Sequence, residues 1–228
     1  MNSSPNRQPA RRGLFVVFEG IDRAGKTTQI ARLSDRLALV QKVAVQSIRF
    51  PDNSSTVGLM LRSSLSSAAA AGHSSQMNAR STHLLFSANR WELAPLIESL
   101  LAQGITVLCD RYAHSGVAHG IANGLPRDWC AASDQGLPAP DVVIQLDLDS
   151  MLSATRADFG AVKPEDVNLL DDVRNAYTQI ARLVTQFPWI NIDARGDERE
   201  VADRVYRSVE HMFRGAPPNP VQRLYIDV

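Results

Sequence analysis

Lysine is scarce in this chain. Only Lys26, Lys42 and Lys163 are lysines, and the other 21 of the 24 basic residues are arginine. The 24 basic residues are balanced by 24 acidic ones, so there is no excess of either sign and bulk binding to nucleic acid is not expected. Two cysteines, Cys109 and Cys130, are too few to staple 228 residues, and together with five histidines they show no metal-ligand spacing. A disulfide scaffold and a structural zinc site are therefore excluded. A reducing cytoplasm is the expected compartment, with a nuclear or mitochondrial pool left open. No apolar run approaches the roughly 18 residues of a membrane helix. What is present is ordinary for a folded chain: 44% hydrophobic and 21% charged residues, at a length that fits one domain. The arginine excess fits genomic base composition, and it also fits bidentate recognition of phosphate oxygens.

The ends differ from the middle. Met1–Arg12 is polar, carries two prolines and no acid, and lacks both an apolar face and a secretory core. A disordered tail over 1–12 is expected, followed by a single domain over 13–215. Beyond it, 216–228 holds Pro217, Pro218 and Pro220 ahead of Leu224-Tyr225-Ile226, which suits a tail packed across the surface rather than a helix. The Ser/Ala-rich stretch Ser63–Ser75 reads as a loop or a weak helix end.

Between the ends, short apolar runs alternate with segments of helical period. Strands are expected at Leu14–Phe18, Val43–Phe50, Ile105–Cys109, Val142–Leu148 and Trp189–Ile192. Helices are expected after Gly25, over Leu84–Leu101 with Pro95 as a possible kink and Gly104 as its cap, and over Val173–Phe187 and Glu198–Phe213. This alternation predicts an α/β fold: three αβα layers around a parallel five-stranded sheet, with helices on both faces.

The first turn carries chemistry. Gly20-Ile21-Asp22-Arg23-Ala24-Gly25-Lys26-Thr27 fits G-x-x-x-x-G-K-[ST] between a strand and a helix, the context this phosphate-binding loop requires. Its backbone N–H groups and the helix dipole favour an anion. Lys26 reaches for the outer phosphates, and Thr27 offers a hydroxyl to Mg²⁺. ATP with Mg²⁺ is the expected ligand pair. No N-K-x-D is present, and Asp110 is followed by Arg111-Tyr112-Ala113 rather than opening a D-x-x-G, which excludes a GTPase switch; H-R-D is missing too, which excludes a protein kinase. Arg23 inside the loop suits a built-in arginine finger. Asp110-Arg111 ends the third strand beside the loop, where Asp110 could hold Mg²⁺ through water or orient an acceptor and Arg111 could clamp a second anion. Arg90 lies on a helix among Phe86, Ala88 and Trp91 and needs a partner. A small-molecule phosphotransferase is favoured over a nucleotide-binding regulatory module because of that second anion site.

Several blocks now match one family. Phe18-Glu19-Gly20-Ile21-Asp22-Arg23-Ala24-Gly25-Lys26-Thr27-Thr28-Gln29, Arg49-Phe50-Pro51, Leu84-Leu85-Phe86-Ser87-Ala88-Asn89-Arg90-Trp91-Glu92, Asp110-Arg111-Tyr112-Ala113-His114-Ser115-Gly116-Val117-Ala118 and Gly136-Leu137-Pro138-Ala139-Pro140-Asp141 resemble the thymidylate kinases, in their eukaryotic form. The resemblance implies transfer of the ATP γ-phosphoryl group to dTMP for dTTP synthesis, and a homodimer. It implies a mobile lid near 154–168 carrying Arg156, and a nucleotide site of Gly20, Asp22, Arg23, Ala24, Gly25, Lys26, Thr27, Thr28, Arg156 and Arg195. By the same resemblance, Phe86 stacks on thymine, Arg90 bonds the base, and Phe50 and Leu65 line the pocket. Ser115 and Gly116 touch base and sugar, Asp22 meets the 3′-hydroxyl, and Arg111 takes the dTMP phosphate. Lys26, Arg23, Arg111, Arg156 and Asp110 are the expected catalytic set, and Thr27 and Asp110 the metal pair. The chain departs from the family at Asp52-Asn53, at His119 and at Pro164, where relatives carry Glu-Arg, an aromatic residue and a lid tyrosine. The last two departures predict relaxed discrimination at the sugar or 5-methyl, with dUMP a second substrate.

Overall fold

The computed structural model describes residues 12–71, 77–156, 164–214 and 220–225, without the side chains of 65, 67–71 and 164–166. Residues 1–11 of the expected disordered tail and 157–163 of the expected lid therefore lie outside the described residues, whereas Arg12 is described and pairs with Asp141 at 2.6 Å. In chain order the elements are β1 (Phe15–Glu19), α1 (Lys26–Arg36), β2 (Val45–Arg49), α2 (Thr56–Ala71), α3 (Ala79–Ala102), β3 (Thr106–Asp110), α4 (Ala113–Ala122), α5 (Arg127–Ala132), β4 (Val142–Asp147), α6 (Ser150–Thr155), α7 (Pro164–Leu183), β5 (Trp189–Asp193) and α8 (Glu198–Val209).

The five strands form one parallel sheet in the order β2-β3-β1-β4-β5. The three central strands are apolar on both faces and buried, as a parallel sheet covered on both sides requires. Helix α1 packs on α8, and α4 packs on α7. The chain leaves β1 toward β2 and leaves β3 toward β4, so a crevice opens between β1 and β3 at their carboxyl ends. The register sets Phe18 beside Asp110, which brings the loop after β1 next to the end of β3.

Some boundaries differ from the sequence expectation. Helix α3 starts five residues before Leu84, because Asn78 caps it by accepting from the Ser81 N–H at 2.9 Å. Pro95 sits inside α3, and the helix runs on to Ala102, where Gly104 at φ +80° closes it. Helix α2 continues to Ala71, well into the stretch expected to be a loop or weak helix end. Helices α4 and α5 were not expected at all. Residues 220–225 are extended: Leu224 is buried and exchanges backbone hydrogen bonds with Gly136 and Leu137, and Arg223 pairs antiparallel to Pro138.

One buried group sets an acid limit on this packing. The His114 ring on α4 is fully buried and edge-on to Phe187 and Trp189, at centroid distances of 5.6 and 5.1 Å. Neither ring nitrogen has a hydrogen-bond partner among the described residues. Burial, with Arg90 adding repulsion, pushes the imidazole down to about 3 from its ordinary 6.5. Below pH 6.5 the unfolded chain takes up this proton and the folded one does not, so stability falls as the pH drops toward 3. The expected loss from this residue between pH 6.5 and 5 is about 2 kcal/mol. Urea unfolding of wild type and His114→Phe at several pH values measures it. The variant is expected to show the shallower acid slope, and equal slopes would refute the assignment.

Candidate functional site

The loop between β1 and α1 is shaped by backbone geometry. Gly20 sits at φ +134°, where a Cβ would fall 2.5 Å from the Leu146 carbonyl oxygen, so only glycine fits. Helix α1 begins at Gly25 with no capping side chain and no acid in its first turn, which leaves its N-terminal amides for an anion. Ala24 turns its own N–H back to the Ile21 carbonyl at 3.4 Å. Lys26 is buried, and its Nζ donates to the carbonyls of Gly20 at 2.9 Å and Ile21 at 2.6 Å. Burial first, then repulsion from Arg111, brings this amine down to about 7. The sequence expectation pointed Lys26 at phosphates, whereas here it folds back onto its own loop.

Thr27 Oγ1 donates to Asp110 Oδ2 at 2.6 Å, joining the helix start to the end of β3. Asp110 Oδ1 is buried without a partner among the described residues, an acceptor with nothing there to accept from. A hydroxyl beside an orphaned carboxylate oxygen is a donor set that fits a hard divalent cation.

Two arginines of the site adopt left-handed backbone: Arg23 at φ +59° and Arg111 at φ +69°. Arg23 is exposed, and its carbonyl lies 3.5 Å from Nη1 of Arg156. Arg156 follows α6 and also donates to the Ala194 carbonyl at 2.9 Å, while Ser153 Oγ donates to the Asp22 carbonyl at 2.6 Å. The base of the expected lid is thereby tied to the phosphate loop. Arg195 stands next to that contact, but its guanidinium is paired with Asp193. Thr28 lies in the first turn of α1.

Arg111 is the centre of the other half. Its Nη2 pairs with Asp22, and its Nη1 faces the Gly20 carbonyl at 3.4 Å, Ser115 Oγ at 3.5 Å and His119 Nε2 at 3.4 Å. It opens on a cavity of about 640 Å³ lined also by Asp22, Phe50, Phe86, Arg90, Ser115, Gly116 and His119. Every residue expected to meet the acceptor is thus brought together here except Leu65, whose side chain lies outside those described. Phe50 leans on Tyr112 at 5.7 Å, and Tyr112 stands edge-on to Phe15.

The partner that Arg90 needs is Asp134. Nε and Nη2 donate to its two oxygens at 3.0 and 2.7 Å, both residues are buried, and Ser87 Oγ adds a third bond at 2.8 Å. Nη1 is the guanidinium nitrogen that Asp134 does not engage. Gly116 passes so close that a Cβ there would lie 2.6 Å from Nη2. Asn89 turns the opposite way and holds the 52–55 turn, accepting from Asp52 N at 2.8 Å and donating to Ser55 Oγ at 2.8 Å.

Sequence reasoning missed Asp134, and it missed Glu19. Glu19 is fully buried, and its carboxylate accepts from the N–H groups of Tyr112 and Ser115, from the Ser115 hydroxyl and from Tyr177 Oη at 2.9 Å. Burial raises its carboxyl above the ordinary value despite these donors. The Ser115 hydroxyl expected to meet a ligand is therefore already engaged. The requirement that a buried arginine find an acid was legible, but the acid itself, 44 residues away, was not.

The sequence model of the family described as Thymidylate kinase matches residues 18–205. The human thymidylate kinase is 37% identical over 217 residues, covering 95% of this chain and 99% of that one. The thymidylate kinase of Dictyostelium discoideum is 35% identical over 204 residues, covering 90% and 88%. The solved structure of thymidylate kinase from Candida albicans superposes with a TM-score of 0.77 at 26% identity, covering 95% of this chain and all of that one.

The Arg90–Asp134 pair makes a stability prediction. Asp134→Ala leaves a cation buried without its partner and is expected to cost about 3–5 kcal/mol. The double variant Arg90→Met/Asp134→Leu removes both charges and is expected to cost less. Denaturant midpoints of the three proteins decide it, and a single variant within about 1 kcal/mol of wild type would show the pair to be dispensable.

Proposed function

The chain belongs to the thymidylate kinase family, and from that premise we propose how its site divides the labour of the reaction. It is a nucleoside monophosphate kinase that transfers the γ-phosphoryl group of ATP to dTMP, giving dTDP and ADP. The observation that carries the residue-level reading is Arg111. It touches the phosphate loop through Gly20 and Asp22 on one side and opens on the cavity on the other, so two anion sites share one wall.

ATP phosphates lie along the loop from Gly20 to Thr28, at the uncapped N-terminus of α1. Lys26 leaves the Gly20 and Ile21 carbonyls for the outer phosphate oxygens. Arg23 and Arg156, held together at the loop, supply positive charge to the group in transit, and Arg195 stands at the edge of the same site. dTMP fills the cavity, its base between Phe86 and the Phe50 wall and beside Arg90 Nη1, its phosphate on Arg111. Asp22, released from Arg111, meets the 3′-hydroxyl. The acceptor oxygen is already anionic, so no strong general base is required, and catalysis is positioning and charge neutralisation. Mg²⁺ held by Thr27 and Asp110 would neutralise charge on the phosphate oxygens when bound. His119 in the cavity supports acceptance of dUMP, while Pro164, the other half of that argument, lies outside the described side chains.

A panel of dTMP, dUMP, dCMP, AMP and thymidine, with ADP release as the readout, tests this. dTMP is expected to be the best acceptor and dUMP to follow within about a thousandfold. Lys26→Ala is expected to lose more than a decade of turnover, about 1.4 kcal/mol of barrier. Arg23→Ala is expected to lower kcat with little change in KM for dTMP. A raised KM with kcat preserved would recast Arg23 as a ground-state contact.

The homodimer is proposed on the apolar surface of α3, where Leu84, Trp91 and Leu96 are exposed, with Leu59 and Met60 exposed on the adjoining α2. Sedimentation equilibrium is expected to give twice the chain mass of 25.0 kDa, and Leu84→Glu/Leu96→Glu to lower it. A wild-type monomer at micromolar concentration would refute the interface.

A further inference from the structure

His119 presents its imidazole to the same cavity as Arg111 and Asp22, with Nε2 3.4 Å from Arg111 Nη1. A guanidinium nitrogen can only donate. Nε2 must therefore be the acceptor, the proton of the neutral ring sits on Nδ1, and His119 steadies Arg111 only while Nε2 is unprotonated. The charged groups that face the ring are Arg111 at the head of α4, Lys26 at the start of α1 and Asp22 in the loop. Two cations against one anion oppose a third positive charge. Burial, followed by Arg111, accordingly holds the imidazole down to about 4.

A bound nucleoside monophosphate reverses that balance. Its phosphate brings two negative charges to Arg111, and the guanidinium turns its donors to phosphate oxygens. Nε2 then loses its donor at the moment the local charge becomes negative. We propose that His119 is the proton-linked half of the acceptor-phosphate clamp: neutral and steadying Arg111 in the free enzyme, it takes up a proton from solvent when a phosphate dianion occupies Arg111, and then adds its own N–H and charge to the clamp. This rests on the reading of Arg111 as the dTMP phosphate site. His119 is a positioning residue in the free enzyme and a binding residue in the complex, and dTMP affinity becomes dependent on pH through it.

Calorimetric titration of dTMP at pH 6 and 7.5, each in two buffers of different ionisation enthalpy, counts the protons exchanged. His119→Phe and His119→Gln are the comparison proteins. Phenylalanine can neither accept from Arg111 nor titrate, whereas glutamine can accept from Arg111 but cannot titrate. At pH 6 wild type is expected to take up more protons than either variant, which also subtracts the ionisation of dTMP itself. The dTMP affinity advantage of wild type over His119→Gln is expected to be larger at pH 6 than at pH 7.5 by about threefold or more. His119→Gln is expected to bind dTMP more tightly than His119→Phe at pH 7.5. Thymidine, which has no phosphate, is expected to show no proton difference among the three proteins. Equal proton counts for dTMP in wild type and both variants would overturn the proposal, as would a His119-dependent uptake with thymidine. Turnover separates the two levels: with dTMP phosphorylated but no proton difference, only the role of His119 fails, whereas no binding or turnover of dTMP overturns the site reading and this proposal together.

Discussion

A carboxylate in the middle of the protein organises its working face. Glu19 ends β1 in complete burial, and a charge there is tolerable only if donors surround it. The donors come from two elements: the backbone of Tyr112 and Ser115 with the Ser115 hydroxyl at the start of α4, and the Tyr177 hydroxyl from α7. By collecting them Glu19 fixes where α4 begins relative to β1. The residue after Glu19 is Gly20, which opens the phosphate loop, and the residue before Tyr112 is Arg111. One buried acid thereby sets the separation between the phosphate loop and the Arg111 end of the cavity. It also accounts for Ser115 being spent on structure although it borders the cavity.

A similar economy governs α3. Within a single turn, Ser87 and Arg90 converge on Asp134 while Asn89 reaches the 52–55 turn on the other side. The helix therefore ties two separate segments together while Phe86 and Arg90 line the cavity. Nothing in this arrangement requires the polar side chains of Ser87 or Asn89 to meet a ligand. Asn89 holds the turn that follows Phe50, and Ser87 holds Asp134 where it meets Arg90.

The sheet was legible because its three central strands are short, buried and apolar on both faces, and the phosphate loop because its signal is local in sequence. The resemblance supplied the acceptor residues, and the cavity gathers all of those whose side chains are described. What escaped was of another kind. Helix α4 is built largely from small residues and histidine, with too few bulky apolar positions to show a 3.6-residue period, and α5 has only 6 residues, too few to show one. Glu19 and Asp134 escaped because their partners are distant in the chain, and no spacing rule joins an acid to a donor 44 or 158 residues away. The fold-back of Lys26 could not be read either, since it depends on the shape of loop carbonyls rather than on residue type.

The left-handed backbone at Arg23 and Arg111 has a consequence for how this enzyme can be improved. An L-residue in that region costs roughly 1–2 kcal/mol, which glycine avoids. Both positions are therefore places where conformational comfort and charge are set against each other. A selection for thermal stability alone would drift toward glycine or asparagine at 23 and 111, and each step would remove a guanidinium that the proposed site uses. Stability and the proposed turnover role are opposed at these two backbone positions, so a hardened variant has to draw its added stability from elsewhere in the chain.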